Sequence, residues 1–199
     1  NFMKYSMMDF MTIDNNFFLK RRSVTAKKMI SGQIPDSDLR QILEAGIRVP
    51  DHGALNPWKL IVIKGDSLAR IDNEIILPEF KKKNSDADEN KLRIESSRMQ
   101  RASVVIAVLS TPVDHPTIPK WEMRLSSAAV CMNLLNCTQS MGYAAQWITE
   151  WYAYNDSMLA ELGGRVGIDK ISGFIYIGTK KEEPSERRRP DPNKVINYI

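Results

Sequence analysis

The sequence predicts one domain of the α+β or α/β class, a sandwich of helices and sheet, and three observations carry that expectation. Helical and strand-like segments interleave in the order helix, helix, strand, helices, strand, helix, strand, helix, strand, tail. The run SVVIAVLST, residues 103–111, is apolar without alternation, the pattern of a strand covered on both faces. The segment from about 120 to 141 is apolar on nearly every side, so as a helix it needs cover all round. At 199 residues, 43% of them hydrophobic, the chain can bury a sizeable core without dividing in two. The domain is expected to span 1–199, with about the first 12 residues outside the packed fold.

Each element has its own signal. Residues 14–29 resemble a first helix whose pattern breaks in KRRSVTAKK, and Ser23, Val24 and Thr25 favour an extended exit. In IPDSDLRQILEAGIRV the residues Leu39, Ile42, Leu43 and Ile47 recur at helical spacing, Asp36 or Ser37 serves as N-cap, and the helix stops before Pro50. LIVIKG (60–65) reads as a short buried strand and a turn. Residues 67–102 are charged and mixed, one or two exposed helices around a polar excursion at 81–91. In the helix of about 120–141, Ser126, Ser127, Ala128 and Ala129 let another backbone come close. YAAQWITEW starts as a strand and breaks; DSMLAELGG is a helix capped by Asp156 and ended by Gly163 or Gly164. ISGFIYIGT is another buried strand, and the last six residues, KVINYI, alternate like a strand after a polar stretch.

The charge balance, 28 Lys and Arg against 24 Asp and Glu, is mildly basic and suits anionic small ligands as readily as nucleic acid. Cys131 and Cys137 cannot bridge each other within one helix, and two thiols without nearby histidines make no zinc site, so no metal is expected. Unpaired thiols fit a reducing cytoplasm. No run of eighteen apolar residues is present, and the first sixteen residues lack the organisation of a secretory signal. The sequence contains no G-x-G-x-x-G between strand and helix, no G-x-x-x-x-G-K-[ST] and no G-x-S-x-G. An enzyme with this sequence would draw its chemistry from a bound organic cofactor.

Several segments are ambiguous alone. KRRS (20–23) offers guanidinium forks that match phosphate oxygens, but read alone it is first of all a solvated helix end. SERRRP (185–190) carries the same ambiguity, and KKK (81–83) reads as a wet surface. His52, inside RVPDHGALNPW, could be an ordinary loop histidine, and Trp58 and Trp121 could be core. QWITEW places two tryptophans around a polar pair directly after a strand, as the wall of a flat ring-binding pocket would, or as a packing cluster.

Their order along the chain resembles the FMN-dependent nitroreductase family, and most closely its compact bacterial branch with a PDH loop. The resemblance rests on RRS after the first helix, PDHGALNPW after the second, the apolar helix in mid-chain, WIT after the next strand, YIGT, and RRRPDP near the end, and it covers roughly residues 15–199. It implies an α+β three-layer sandwich, a central and mainly antiparallel sheet flanked by helices, in an intertwined homodimer with FMN at the interface. It implies that Arg21, Arg22 and Ser23 contact the FMN phosphate, ribityl chain and ring edge. Arg48 and His52 would reach the flavin across the dimer, and Trp147, Ile148 and Thr149 would lie along the ring, with a backbone N–H near Thr149 facing the reactive nitrogen. Arg187 and Arg189 match tail cations near the phosphate, and CTQSMG (137–142) overlies a segment associated with the nicotinamide nucleotide. Glu150 stands where several relatives have Gly, so the pocket floor is expected to be narrower or more acidic. The implied activity takes hydride from NADH or NADPH and reduces nitroaromatics, quinones or other conjugated acceptors by a ping-pong scheme, with no side chain acting as nucleophile or general base. A flavin enzyme of the same fold with another acceptor, by dehydrogenation or dehalogenation, and a basic nucleic-acid-binding regulatory module are the alternatives.

Overall fold

The computed structural model describes residues 15–30 and 32–199. The chain forms α1 (Asn15–Lys20), β1 (Met29–Ile30), α2 (Asp36–Gly46), β2 (Trp58–Lys64), α3 (Asp66–Ile71), α4 (Leu77–Lys83), α5 (Glu89–Glu95), β3 (Val104–Ser110), α6 (Lys120–Ser140), β4 (Ala144–Ile148), α7 (Asp156–Glu161), β5 (Lys170–Lys180) and α8 (Pro192–Val195). The five strands make one sheet in the order β1-β5-β3-β2, with β4 also on β5, and every pairing is antiparallel.

β3 explains how this sheet becomes the middle of three layers. Its seven residues are all buried. Val104, Ile106 and Val108 point to a layer with Leu39 and Ile42 of α2 and Val130, Cys131 and Leu134 of α6. Val105, Ala107 and Leu109 point the other way, to Leu68 and Ile71 of α3 and Met158 and Leu159 of α7. Successive side chains alternate faces, so an unbroken apolar run is the sequence of a strand covered on both. β2 is the sheet's edge and only Ile63 in it is fully buried, so its cover is thinner than the sequence suggests. α2 lies close on α6 because Gly46 has no side chain: a Cβ there would come within 2.4 Å of Leu134 Cδ2.

Some boundaries differ from expectation. The first helix ends at Lys20, far short of residue 29, and residues 21–25 run extended before a 3₁₀ turn at Ala26–Lys28. Pro35 takes the N-cap position of α2, which makes Asp36 and Asp38 first-turn acids suited to the positive end of the helix dipole. α7 is capped by Asn155, whose side chain accepts from the Met158 N–H at 2.8 Å, rather than by Asp156. The excursion after β2 is less exposed than expected: Ile71, Asp72, Ile76 and Met99 are buried, and the Asp72 carboxylate accepts the Met99 and Gln100 N–H groups. KVINYI forms no strand; its first two residues end α8, capped by Asp191, and residues 185–199 are all exposed. Both cysteines are free, and no helix among the described residues is long and apolar enough to cross a membrane.

Candidate functional site

The segment after α1 is fastened beside β4. The Val24 N–H donates to the Ala145 carbonyl at 3.1 Å and the Ala26 N–H to Gln146 Oε1 at 2.6 Å. Gln139, at the last turn of α6, ties the same segment from below: its Nε2 donates to the Arg22 and Ala145 carbonyls, and its Oε1 accepts from Arg21 Nη1 at 3.3 Å. Ser23 sits half-buried between these anchors. The tail returns to the same place, where Arg189 Nη2 donates to the Arg21 carbonyl at 3.1 Å and Glu186 pairs with both Arg22 and Arg189. Arg187 contributes only its backbone N–H, to Glu186, and its side chain is exposed. A cavity of about 380 Å³ opens here, walled by Lys20, Arg21, Arg22, Gln139 and Lys180. Burial, and then the charges of Arg189 and Arg22, lower the Arg21 pKa.

A second cavity of about 510 Å³ is lined by residues 25–27 and Arg101 and by Gln146, Trp147, Ile148, Thr149 and Glu150. The Trp147 indole lies flat on β5: its N–H donates to the Ser172 carbonyl at 3.1 Å, and a Cβ at Gly173 would fall 2.0 Å from the indole nitrogen. Ser172 is the extra residue of a bulge opposite Val108 and Leu109, so the strand irregularity makes the tryptophan's seat. Thr149 is exposed at the strand end, and Glu150 follows with φ +43° and ψ 175°. The expected acidic floor is partly neutralised, because Glu150 Oε1 meets Arg98 Nη1 at 3.3 Å.

Arg48 and His52 stand apart from these cavities. Their loop is docked along α6 from Glu122 to Asn133: Ser126 Oγ donates to the Pro50 carbonyl, Asn133 Nδ2 to the Arg48 carbonyl, and Trp58 Nε1 to Ser126 Oγ. The His52 Nδ1 is 2.7 Å from Glu122 Oε2, and both the Arg48 and His52 side chains are exposed. Glu122 and Gln139 are seventeen residues apart on α6, about 25 Å at 1.5 Å per residue. His52 and the Arg21–Gln139 contact thus lie toward opposite ends of the long helix, with Arg48 between them. Among the described residues, the non-glycine residues with positive φ are Ala54, Asn56 and Glu150, all within the two segments singled out from the sequence.

Four contributors have roles that the sequence does not predict: Gln139, Glu186, Glu95 and Arg98. Gln139 had a weak signal, a glutamine at the end of an apolar helix, but its segment pointed to a nicotinamide nucleotide and not to the arginines. Glu95 is buried in a stretch that reads as a charged surface.

The sequence profile of the Nitroreductase family matches residues 19–179. A Haemophilus influenzae protein named "Putative NAD(P)H nitroreductase" is 31% identical over 182 residues, covering 87% of this chain and 94% of its own length. The Escherichia coli K12 protein "Putative NAD(P)H nitroreductase YdjA" is 26% identical over 182 residues, with 91% and 96% covered. Among solved structures, a nitroreductase-like family protein from Bacillus cereus superposes with a TM-score of 0.79 at 20% identity, covering 92% of this chain and 94% of that one. A Bacteroides fragilis nitroreductase with bound FMN gives a TM-score of 0.66 at 23% identity, with 92% and 97% covered. These two structural likenesses are of fold.

Proposed function

Because the chain belongs to the nitroreductase family, we propose that it is an FMN-dependent oxidoreductase that takes hydride from NADH or NADPH and reduces a nitroaromatic, quinone or other conjugated acceptor. The observation that carries this reading is the arginine cluster. Arg21 and Arg22 line one cavity, Arg189 reaches the Arg21 carbonyl, and Glu186 is the acid shared by Arg22 and Arg189, so the donor set fits a phosphate dianion that would complete its charge balance. Arg189 is the tail arginine assigned to that phosphate, and Ser23 to the neighbouring chain of the cofactor. Trp147, Ile148 and Thr149 would wall the flavin ring in the larger cavity.

When bound, FMN supplies the redox chemistry that no side chain here provides. The protein's part is to hold phosphate and ring, to keep water from the ring face, and to present N–H donors at the end of β4. Both substrates would use one cleft in turn, which is the basis for a ping-pong scheme.

We further propose a homodimer. Trp121, Leu125 and Met132 project from α6 at 65%, 50% and 36% exposure, a stripe of apolar side chains at helical spacing on a helix whose other side is core. A two-fold pairing of α6 with its copy in opposite sense would bring the His52 end of one chain toward the Arg21–Gln139 end of the other. The exposed tail, with Tyr198 at 93%, is free to wrap the second copy. Cofactor extraction followed by an acceptor screen with NADH and NADPH tests the reading. A bound FMN reduced by either nucleotide is expected; a colourless protein that takes up no FMN would refute it. Acceptors accepted or refused distinguish nitro and quinone reduction from dehydrogenation or dehalogenation.

A further inference from the structure

Glu150 adopts a backbone conformation that side-chain-bearing residues avoid. At φ +43° and ψ 175° its Cβ is crowded by its own backbone, in a region populated almost entirely by glycine. Such a conformation persists only where surrounding contacts hold it. Here the contact to Glu150 is itself exposed, but it is anchored on a buried carboxylate. Arg98 is fixed by Glu95, which is 4% exposed and accepts from its Nε at 3.0 Å and from its Nη2. The same carboxylate accepts the indole N–H of Trp151 at 3.0 Å. The remaining edge of the Arg98 guanidinium, Nη1, reaches Glu150. Glu150 is thus tethered to one buried carboxylate from both sides, through Arg98 by its own side chain and through Trp151 by the chain.

We propose that Glu150 is a positioning residue: its ion pair with Arg98 latches the Thr149–Glu150 peptide in its strained conformation, and so sets the floor of the cleft beyond β4. The inference deepens the flavin reading and rests on it for the cofactor, but the latch has its own readout. The turn it holds is closed by the Ala153 N–H, which is shared between the carbonyls of Thr149 and Glu150 at 3.2 and 3.3 Å.

The test compares Glu150→Ala with Glu150→Gly. Alanine loses the ion pair and keeps the strain; glycine loses the ion pair and the strain together. If Glu150 acts by positioning, E150A weakens FMN binding about five- to tenfold, and E150G, although it deletes more atoms, binds FMN more tightly than E150A. Equal affinities for wild type and E150A, or E150G binding no more tightly than E150A, would overturn the proposal; equal losses in the two variants are what a direct contact of the carboxylate with the cofactor predicts. Amide exchange at Ala153 in FMN-free protein reads the latch independently, with an acceleration of about tenfold expected in E150A. Unchanged exchange there would overturn the latch even in a chain that binds FMN. Accelerated exchange in a chain that binds none would uphold it while refuting the flavin reading.

Discussion

Arg21 and Gln139, 118 residues apart in sequence, meet at 3.3 Å, and this contact joins the end of the first helix to the end of the longest one. Gln139 also receives no freedom of its own, because its Nε2 is committed to the Arg22 and Ala145 carbonyls. The arginine that would meet a phosphate is therefore aimed by α6 and not by its own short helix.

Removing that guanidinium should weaken FMN binding. A charge-assisted hydrogen bond contributes ~1.5–3 kcal/mol, so Arg21→Ala is expected to raise the FMN dissociation constant by about one to two decades. Arg189→Ala should weaken binding more than Arg187→Ala, since only Arg189 reaches Arg21. Fluorescence titration of the FMN-free variants checks both, and equal losses for the two tail arginines would displace Arg189 from the site.

Placing a charge in the exposed stripe of α6 should separate the subunits. Leu125→Asp would bury a carboxylate in the proposed interface, at a cost of several kcal/mol. Light scattering should report a monomer, and flavin should be lost with the partner. A folded Leu125→Asp dimer with full flavin content would move the interface elsewhere.

The kinetics should be ping-pong. If the nicotinamide nucleotide and the acceptor occupy one cleft in turn, double-reciprocal lines are parallel across acceptor concentrations. Intersecting lines would require both to be bound at once.

Acid should loosen the excursion between β2 and β3. Hydrogen bonds from Lys82 and Asn155 hold the Glu79 carboxyl at a pKa of about 2, against an ordinary 4.5. A depressed pKa contributes stability above the unfolded value that is lost as pH falls through the folded one. The melting temperature should therefore fall between about pH 4.5 and 2, and Glu79→Gln should flatten that part of the profile. An unchanged profile in the variant would assign the acid response to other groups.

The parts of the fold legible in the sequence are those where local pattern and burial agree. β3 was recognisable because a strand covered on both faces leaves a continuous apolar record; α6 carries a similar record although Trp121, Leu125 and Met132 stand exposed on one side of it. The cap of α7 was misplaced by one residue because Asn155 and Asp156 offer equivalent side chains and only the chain direction decides between them. KVINYI has the alternation of a strand but no strand to pair with inside its own chain. In the site, RRS, PDH and WIT were visible as local chemistry. Gln139, Glu186 and the Glu95–Arg98 pair act through contacts far along the chain, which no local pattern records. The same holds for the separation of the two clusters: nothing in the spacing of His52 and Arg21 shows that they contact opposite ends of one helix.

The composite site is tested most directly by sedimentation velocity of the purified protein, followed at a flavin absorption band. The flavin is expected to sediment wholly with a species of two chains and to be released when that species dissociates. Flavin carried by a single chain would contradict the shared site, and a two-chain species that carries and takes up none would contradict the cofactor.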